Sequence, residues 1–167
     1  MSAPDYYALF GLEPKLSLDA ADLERRFYDL SRKLHPDRFP HATAAELETS
    51  ASLNDAYRTL RDPVSRAEYL LKRLGIEAGD SRQPAPEMLE EVFELNEALE
   101  ELRNGSEDAR PKVEAARERF LGLLGEADSQ LKALASRYDA GDRASAGELR
   151  ALLNRRRYIA NLLSQDA

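Results

Sequence analysis

Asp19-Ala20-Ala21-Asp22-Leu23-Glu24-Arg25-Arg26-Phe27-Tyr28-Asp29-Leu30-Ser31-Arg32-Lys33-Leu34-His35-Pro36-Asp37 is the stretch that decides the fold. Asp19 can cap free backbone amides, and Leu23, Phe27, Leu30 and Leu34 then recur at helical spacing, so a helix with one apolar face starts there. Pro36 ends it, because the residue before a proline is pushed out of the helical region and proline has no amide hydrogen to give. His35-Pro36-Asp37 therefore falls in a loop. Arg25, Arg26, Arg32 and Lys33 lie opposite the apolar face when each residue turns the helix by about 100°. Residues 25–38 hold five basic and two acidic side chains in a chain of net charge -7. That local polarity steers the face toward an acidic partner surface.

Upstream, Asp5-Tyr6-Tyr7-Ala8-Leu9-Phe10 is a brief helix stopped by Gly11 and Pro14, too short to stand alone. Downstream, Thr43-Ala44-Ala45-Glu46 has the form of a capping box and opens a third helix with Leu47, Leu53, Ala56, Tyr57 and Leu60 directed inward. Asp62-Pro63 restarts the chain as cap and first helical residue of a fourth helix, through Tyr69, Leu70, Leu71 and Leu74, which Gly75 terminates. Residues 76–86 have linker composition, so the expected division is 1–75, a linker at 76–86, and 87–167.

Three further helices follow. Glu87 to about Arg103 carries the stripe Met88, Val92, Leu95, Leu99 and Leu102 and stops at Asn104-Gly105. A long helix from about Glu107 to Tyr138 carries Phe120, Leu124, Ala127, Leu131, Leu134 and Tyr138, with Gly122 and Gly125 weakening it locally. The last opens at Ser145 with Glu148 in capping-box spacing and carries Leu149, Leu152, Ile159 and Leu163. The fold expected is all-α, a helical hairpin unit followed by a three-helix bundle.

Composition excludes several functions. With 0 cysteines there are no disulfides and no thiolate ligands for a cluster or a structural zinc, so any iron-sulfur cluster sits on a partner. Acidity argues against non-specific nucleic-acid binding. No apolar run approaches the roughly 20 residues of a membrane span, and no signal sequence opens the chain, so a cytoplasmic location is expected. A metal set of His35, Asp37 and His41 matches no ligand-spacing motif, and neither histidine has a nucleophile arrangement around it.

On the helix after the linker, Leu89 and Phe93 stand off the core stripe beside a row of Glu90, Glu94, Glu97 and Glu101. Like charges at that spacing cost about 0.2–0.5 kcal/mol per pair, and apolar anchors rimmed by charge are a common form of partner site.

Asp5 to Gly11, Arg25 to Lys33, His35-Pro36-Asp37-Arg38-Phe39, Asn54-Asp55-Ala56-Tyr57 and Leu60-Arg61-Asp62-Pro63 together resemble a J-domain. Arg66-Ala67-Glu68-Tyr69-Leu70-Leu71, followed by a glutamate-rich helical domain, resembles the HscB family over nearly the whole chain. The resemblance implies that His35, Pro36 and Asp37 stimulate the ATPase of an HscA or DnaK-type chaperone, which docks on Arg25, Arg26, Arg32, Lys33 and Arg38. It implies that Leu89, Phe93, Glu94, Glu97, Glu101 and, from the last helix, Tyr158 bind an IscU-type iron-sulfur scaffold. The family tends to have a second apolar anchor where this chain has Glu90, and Met88 is its candidate substitute. No catalytic group, metal or cofactor is implied in the chain itself. The alternatives are a J-domain protein for a different client, or an enzyme using His35 and Asp37.

Overall fold

The computed structural model describes residues 4–34, 43–79 and 84–164, and every regular element among them is helical. The elements are α1 (Tyr6–Leu9), α2 (Ala20–Lys33), α3 (Ala44–Arg61), α4 (Pro63–Arg73), α5 (Leu89–Arg103), α6 (Arg110–Asp139) and α7 (Ser145–Ser164). Single 3-10 turns at Pro86–Met88 and Glu107–Ala109 lead into α5 and α6. None of these helices is long and apolar enough to cross a membrane.

The helix starts are set by local side-chain chemistry. The Asp19 carboxylate accepts from the amides of Ala21 and Asp22. Thr43 and Glu46 form a reciprocal capping box at α3, and Asp62 accepts from Ser65 with Pro63 in the first turn of α4. Each satisfies backbone donors that a helix leaves free at its start, a contribution of about 1 kcal/mol per cap. Gly75 and Gly105, at φ 80° and 94°, close α4 and α5 in left-handed conformations that a Cβ disfavours. Their amides and those of the following residues turn back to carbonyls of the last helical turn. Helix α7 begins at Ser145, with Glu148 in its first turn.

The chain divides into two compact units. One ends at Ile76 and also takes in Ala135–Asp142; the other comprises Glu77–Leu134 and the chain from Arg143 onward.

In the first unit α1, α2 and α4 all pack against α3. Its core is Tyr7, Phe10, Leu16, Leu23, Leu53, Ala56, Leu60, Ala67, Leu70 and Leu71, all buried. The short α1 is held by aromatic stacking of Tyr6 on Tyr69 at 4.7 Å, by the Tyr7 hydroxyl donating to the Lys15 carbonyl at 2.7 Å, and by Arg73 on Asp5 at 2.6 Å. Burial pushes the Tyr7 phenol well up, which keeps it a neutral donor. Further along the hairpin, Phe27 stacks on Tyr57 at 4.1 Å. Phe27, Leu30 and Leu34 are only half-buried, leaving Leu23 as the fully enclosed residue of the α2 stripe.

Leu47, expected inward, is 53% exposed. It precedes Leu53 by six residues, which turns it about 120° from that residue and off the face of Leu53, Ala56 and Leu60. Leu74, just past the end of α4, is also exposed.

Arg66 is the buried cation of this unit. Its Nε donates to the Leu16 carbonyl at 2.7 Å and its Nη1 to the Leu60 carbonyl at 2.6 Å. The last residue of α6 completes the same region, as the Asp139 carboxylate accepts from the amides of Leu16 and Ser17 at 2.9 and 2.8 Å. These bonds explain why residues 135–142 group with the N-terminal part of the chain.

In the second unit Met88, Val92, Leu95 and Ala98 of the α5 region, Val113 and Phe120 of α6 and Ile159 of α7 form one core cluster. Three amphipathic helices thus bury their stripes against one another. Helix α6 runs unbroken through Gly122 and Gly125, and a Cβ added at either glycine meets nothing within 4 Å. Gly122→Ala and Gly125→Ala are each expected to stabilise the protein by about 0.5–1 kcal/mol, since alanine restricts the unfolded chain without a clash. Thermal denaturation followed by circular dichroism should show the double variant melting a few degrees higher.

Candidate functional site: two binding surfaces

The first surface is the outer face of α2. Asp22 pairs with both Arg25 and Arg26, and those two guanidinium groups, the Arg26 hydrogen bond first, hold its carboxyl below the usual carboxylate range. Arg26 also donates from Nη1 to the Phe10 carbonyl at 2.9 Å, so it braces the turn after α1 as well as contributing charge. Arg32 bonds Asp29 at 2.8 Å and remains 77% exposed. Lys33 is exposed and has no ion-pair partner among the described residues. Of the five cations expected to dock a partner, Arg25, Arg32 and Lys33 are therefore presented outward, while Arg26 is partly committed within its own unit. Tyr28, which the sequence reading did not single out, is 56% exposed and lies three residues after Arg25 and four before Arg32. An aromatic among outward arginines adds an apolar contact to a charged face. His35, Pro36, Asp37 and Arg38 lie outside the described residues, as does His41.

The second surface is on α5. Leu89 and Phe93 are 54% and 64% exposed, four residues apart on one side of the helix. Glu97 continues that side one turn on, and Glu94 and Glu101 flank it. Met88 is buried in the bundle core and cannot replace the missing anchor at Glu90, because its side chain is already committed to Val92 and its neighbours. Tyr158 of α7 is half-buried against the same core cluster, and burial raises its phenol. It sits at the margin of the core rather than standing clear of the surface as Phe93 does.

Alongside the glutamates, α5 and α6 enclose a groove of about 380 Å³. Lys112 reaches Glu101 at 4.0 Å and Arg119 reaches Glu91 at 3.7 Å. These exposed pairs offset part of the repulsion along the acidic row. Glu91, Lys112 and Arg119 were not legible as members of this surface, since nothing in the sequence sets how α6 faces α5. No group of three or more ligating side chains among the described residues could hold a metal ion.

Residues 5–69 match the DnaJ domain family. A co-chaperone protein HscB homolog of Vibrio vulnificus is 42% identical over 111 residues, covering 62% of this chain and 64% of that one. A counterpart in Neisseria meningitidis is 41% identical over 108 residues, covering 61% and 65%. The matched segment thus spans just under two thirds of the length of these curated relatives. Among solved structures, the chaperone HscB from Vibrio cholerae aligns over 97% of this chain and 94% of its own, with a TM-score of 0.66 and 29% identity. Human co-chaperone protein HscB aligns over 97% and 80%, with a TM-score of 0.67 and 28% identity. A J-domain in the N-terminal part of an all-α chain, joined to a helical bundle that aligns with HscB structures along almost its full length, makes this a J-domain chain similar to the HscB co-chaperones.

Proposed function

We propose that this chain is an adaptor, a cytoplasmic J-domain co-chaperone that stimulates an HscA or DnaK-type ATPase and brings it an IscU-type iron-sulfur scaffold. In this reading residues 1–75 serve the ATPase, 76–86 link, and 87–167 hold the scaffold. His35-Pro36-Asp37 acts as the trigger, and Arg25, Arg32, Lys33 and Arg38, with Arg26 in part, orient docking by charge. The protein performs no ATP chemistry of its own; it activates the partner's.

The observation that carries the reading is the pair Leu89 and Phe93, large apolar side chains more than half exposed and bordered by Glu94, Glu97 and Glu101. Exposed apolar anchors with a charged rim are the ordinary construction of a protein-binding patch. On a helix outside the J-domain match they supply a second surface, which an adaptor requires. Tyr158 supports the patch from the core margin.

The test is steady-state ATP hydrolysis by a purified HscA-type chaperone with and without this protein and an IscU-type scaffold. The expected result is stimulation by the protein that the scaffold increases further. No change in rate with either an HscA-type or a DnaK-type chaperone would overturn the proposal.

A further inference from the structure

We infer that the α5–α6 groove is part of the client surface and receives a lysine or arginine side chain of the scaffold, so that α6 as well as α5 selects the partner. The inference rests on the scaffold-binding reading above and adds to it a wall that α5 alone does not contain.

The charges in the groove are unevenly matched. Four carboxylates, Glu91, Glu94, Glu97 and Glu101, face two cations, Lys112 and Arg119. The cations engage Glu101 at 4.0 Å and Glu91 at 3.7 Å. Glu94 and Glu97 have no ion-pair partner among the described residues. Lys112 and Arg119 are seven residues apart, two turns of the same face of α6, and between them that face presents only Ala115 and Ala116. Small side chains there leave the middle of the groove open opposite the unpaired glutamates. Leu95 and Ala98 add apolar lining.

An apolar channel with carboxylates along one wall suits a long side chain with an aliphatic stem and a cationic head. The stem lies along the alanines and the head meets Glu94 and Glu97. Phe93 and Glu97 are one helical turn apart, so the groove continues from the exposed anchors and one partner segment can reach both. Lys112 and Arg119 then have two effects. They confine the incoming cation to the middle of the groove, and they compete with it for the carboxylates at either end. A neutral or acidic segment of the same shape gains nothing from this arrangement.

The experiment is calorimetric titration of an IscU-type scaffold into the full-length protein and three variants at low and at moderate salt. Ala115 is exposed, so Ala115→Leu fills the groove without entering the core, and circular dichroism should show an unchanged helix content and melting point. The expected result is at least tenfold weaker scaffold binding. Glu114→Leu, on the opposite side of α6, adds the same side chain away from the groove and should bind as the wild type does. Lys112→Gln removes a competitor from a 69% exposed position and should tighten binding two- to fivefold at low salt, the gain shrinking as salt rises. If the wild type binds while Ala115→Leu binds equally well, or Lys112→Gln weakens the complex, the groove is not a client site and the inference falls alone. If the wild type does not bind the scaffold, the scaffold reading fails and the inference with it.

Discussion

His35→Gln is expected to return the partner's ATP hydrolysis to its unstimulated rate while leaving scaffold binding unchanged. Glutamine keeps a polar side chain at position 35 but has neither the imidazole ring nor its capacity to carry charge near neutral pH. The residue falls within the J-domain match, in a different unit from α5, so scaffold affinity should not respond. The reciprocal variant, Phe93→Ala with Glu97→Ala, removes an anchor that is 64% exposed and makes no contribution to the core cluster. Truncating a central aromatic anchor costs about 2 kcal/mol or more, roughly a thirtyfold loss of affinity. The doubly substituted protein should therefore fold and melt as the wild type does, still stimulate the chaperone when scaffold is absent, and lose the additional stimulation that scaffold provides. Single-turnover ATPase assays paired with scaffold titrations separate the two outcomes. Equal loss of both activities in either well-folded variant would contradict separable surfaces.

What could be read from the sequence divides along a physical line. Helix starts and stops were legible because their determinants are local: Asp19, Thr43 with Glu46, and Asp62-Pro63 satisfy amides two or three residues away, and Asn104-Gly105 ends α5 through its own backbone geometry. Apolar faces were legible where spacing was respected, as on α5, and misread where it was not, as at Leu47. Leu89 and Phe93 could be recognised as off the stripe from their angles alone, and both are exposed. Met88 shows the limit of that approach. A residue assigned to the stripe cannot also serve as a surface anchor, and its burial in the core decides between the two. Features that depend on how one helix faces another were out of reach. Lys112 and Arg119 become relevant to the glutamate row only once α6 lies beside α5. The expected break at 76–86 likewise gave no indication that Asp139, far along the chain, bonds the amides that precede α2.

Arg66 tests the least legible part of the fold. Nothing in Arg66-Ala67-Glu68-Tyr69 marks the arginine as buried, yet it is 8% exposed and its two hydrogen bonds end on backbone carbonyls at Leu16 and Leu60. Desolvation lowers its pKa, and the nearby Tyr7 phenol and the carboxylates of Asp62 and Asp139 act in the opposite direction. The burial is thus unfavourable for the charge itself and is offset by charge-assisted hydrogen bonds, which contribute about 1.5–3 kcal/mol each. Leu16 precedes α2 and Leu60 lies in its partner α3, so one guanidinium bonds the approach to the basic helix and the helix on which it packs. Arg66→Met preserves the apolar stem but leaves two buried carbonyls without a donor, at an expected cost of about 2–4 kcal/mol. Arg66→Lys keeps the charge, but a single ammonium cannot reproduce the fork that reaches both carbonyls, and a smaller loss of about 1–2 kcal/mol is expected. Urea denaturation followed by circular dichroism should rank the proteins wild type, Arg66→Lys, Arg66→Met. Hydrogen exchange in Arg66→Met should rise first in α2 and around Leu16, and less in α5. If Arg66→Met is as stable as the wild type, the two carbonyls have found other donors and the guanidinium does not hold α2 in place. If it is destabilised as expected, chaperone stimulation should fall with it as temperature rises, while scaffold affinity at low temperature stays unchanged, because α2 belongs to the unit that Arg66 braces.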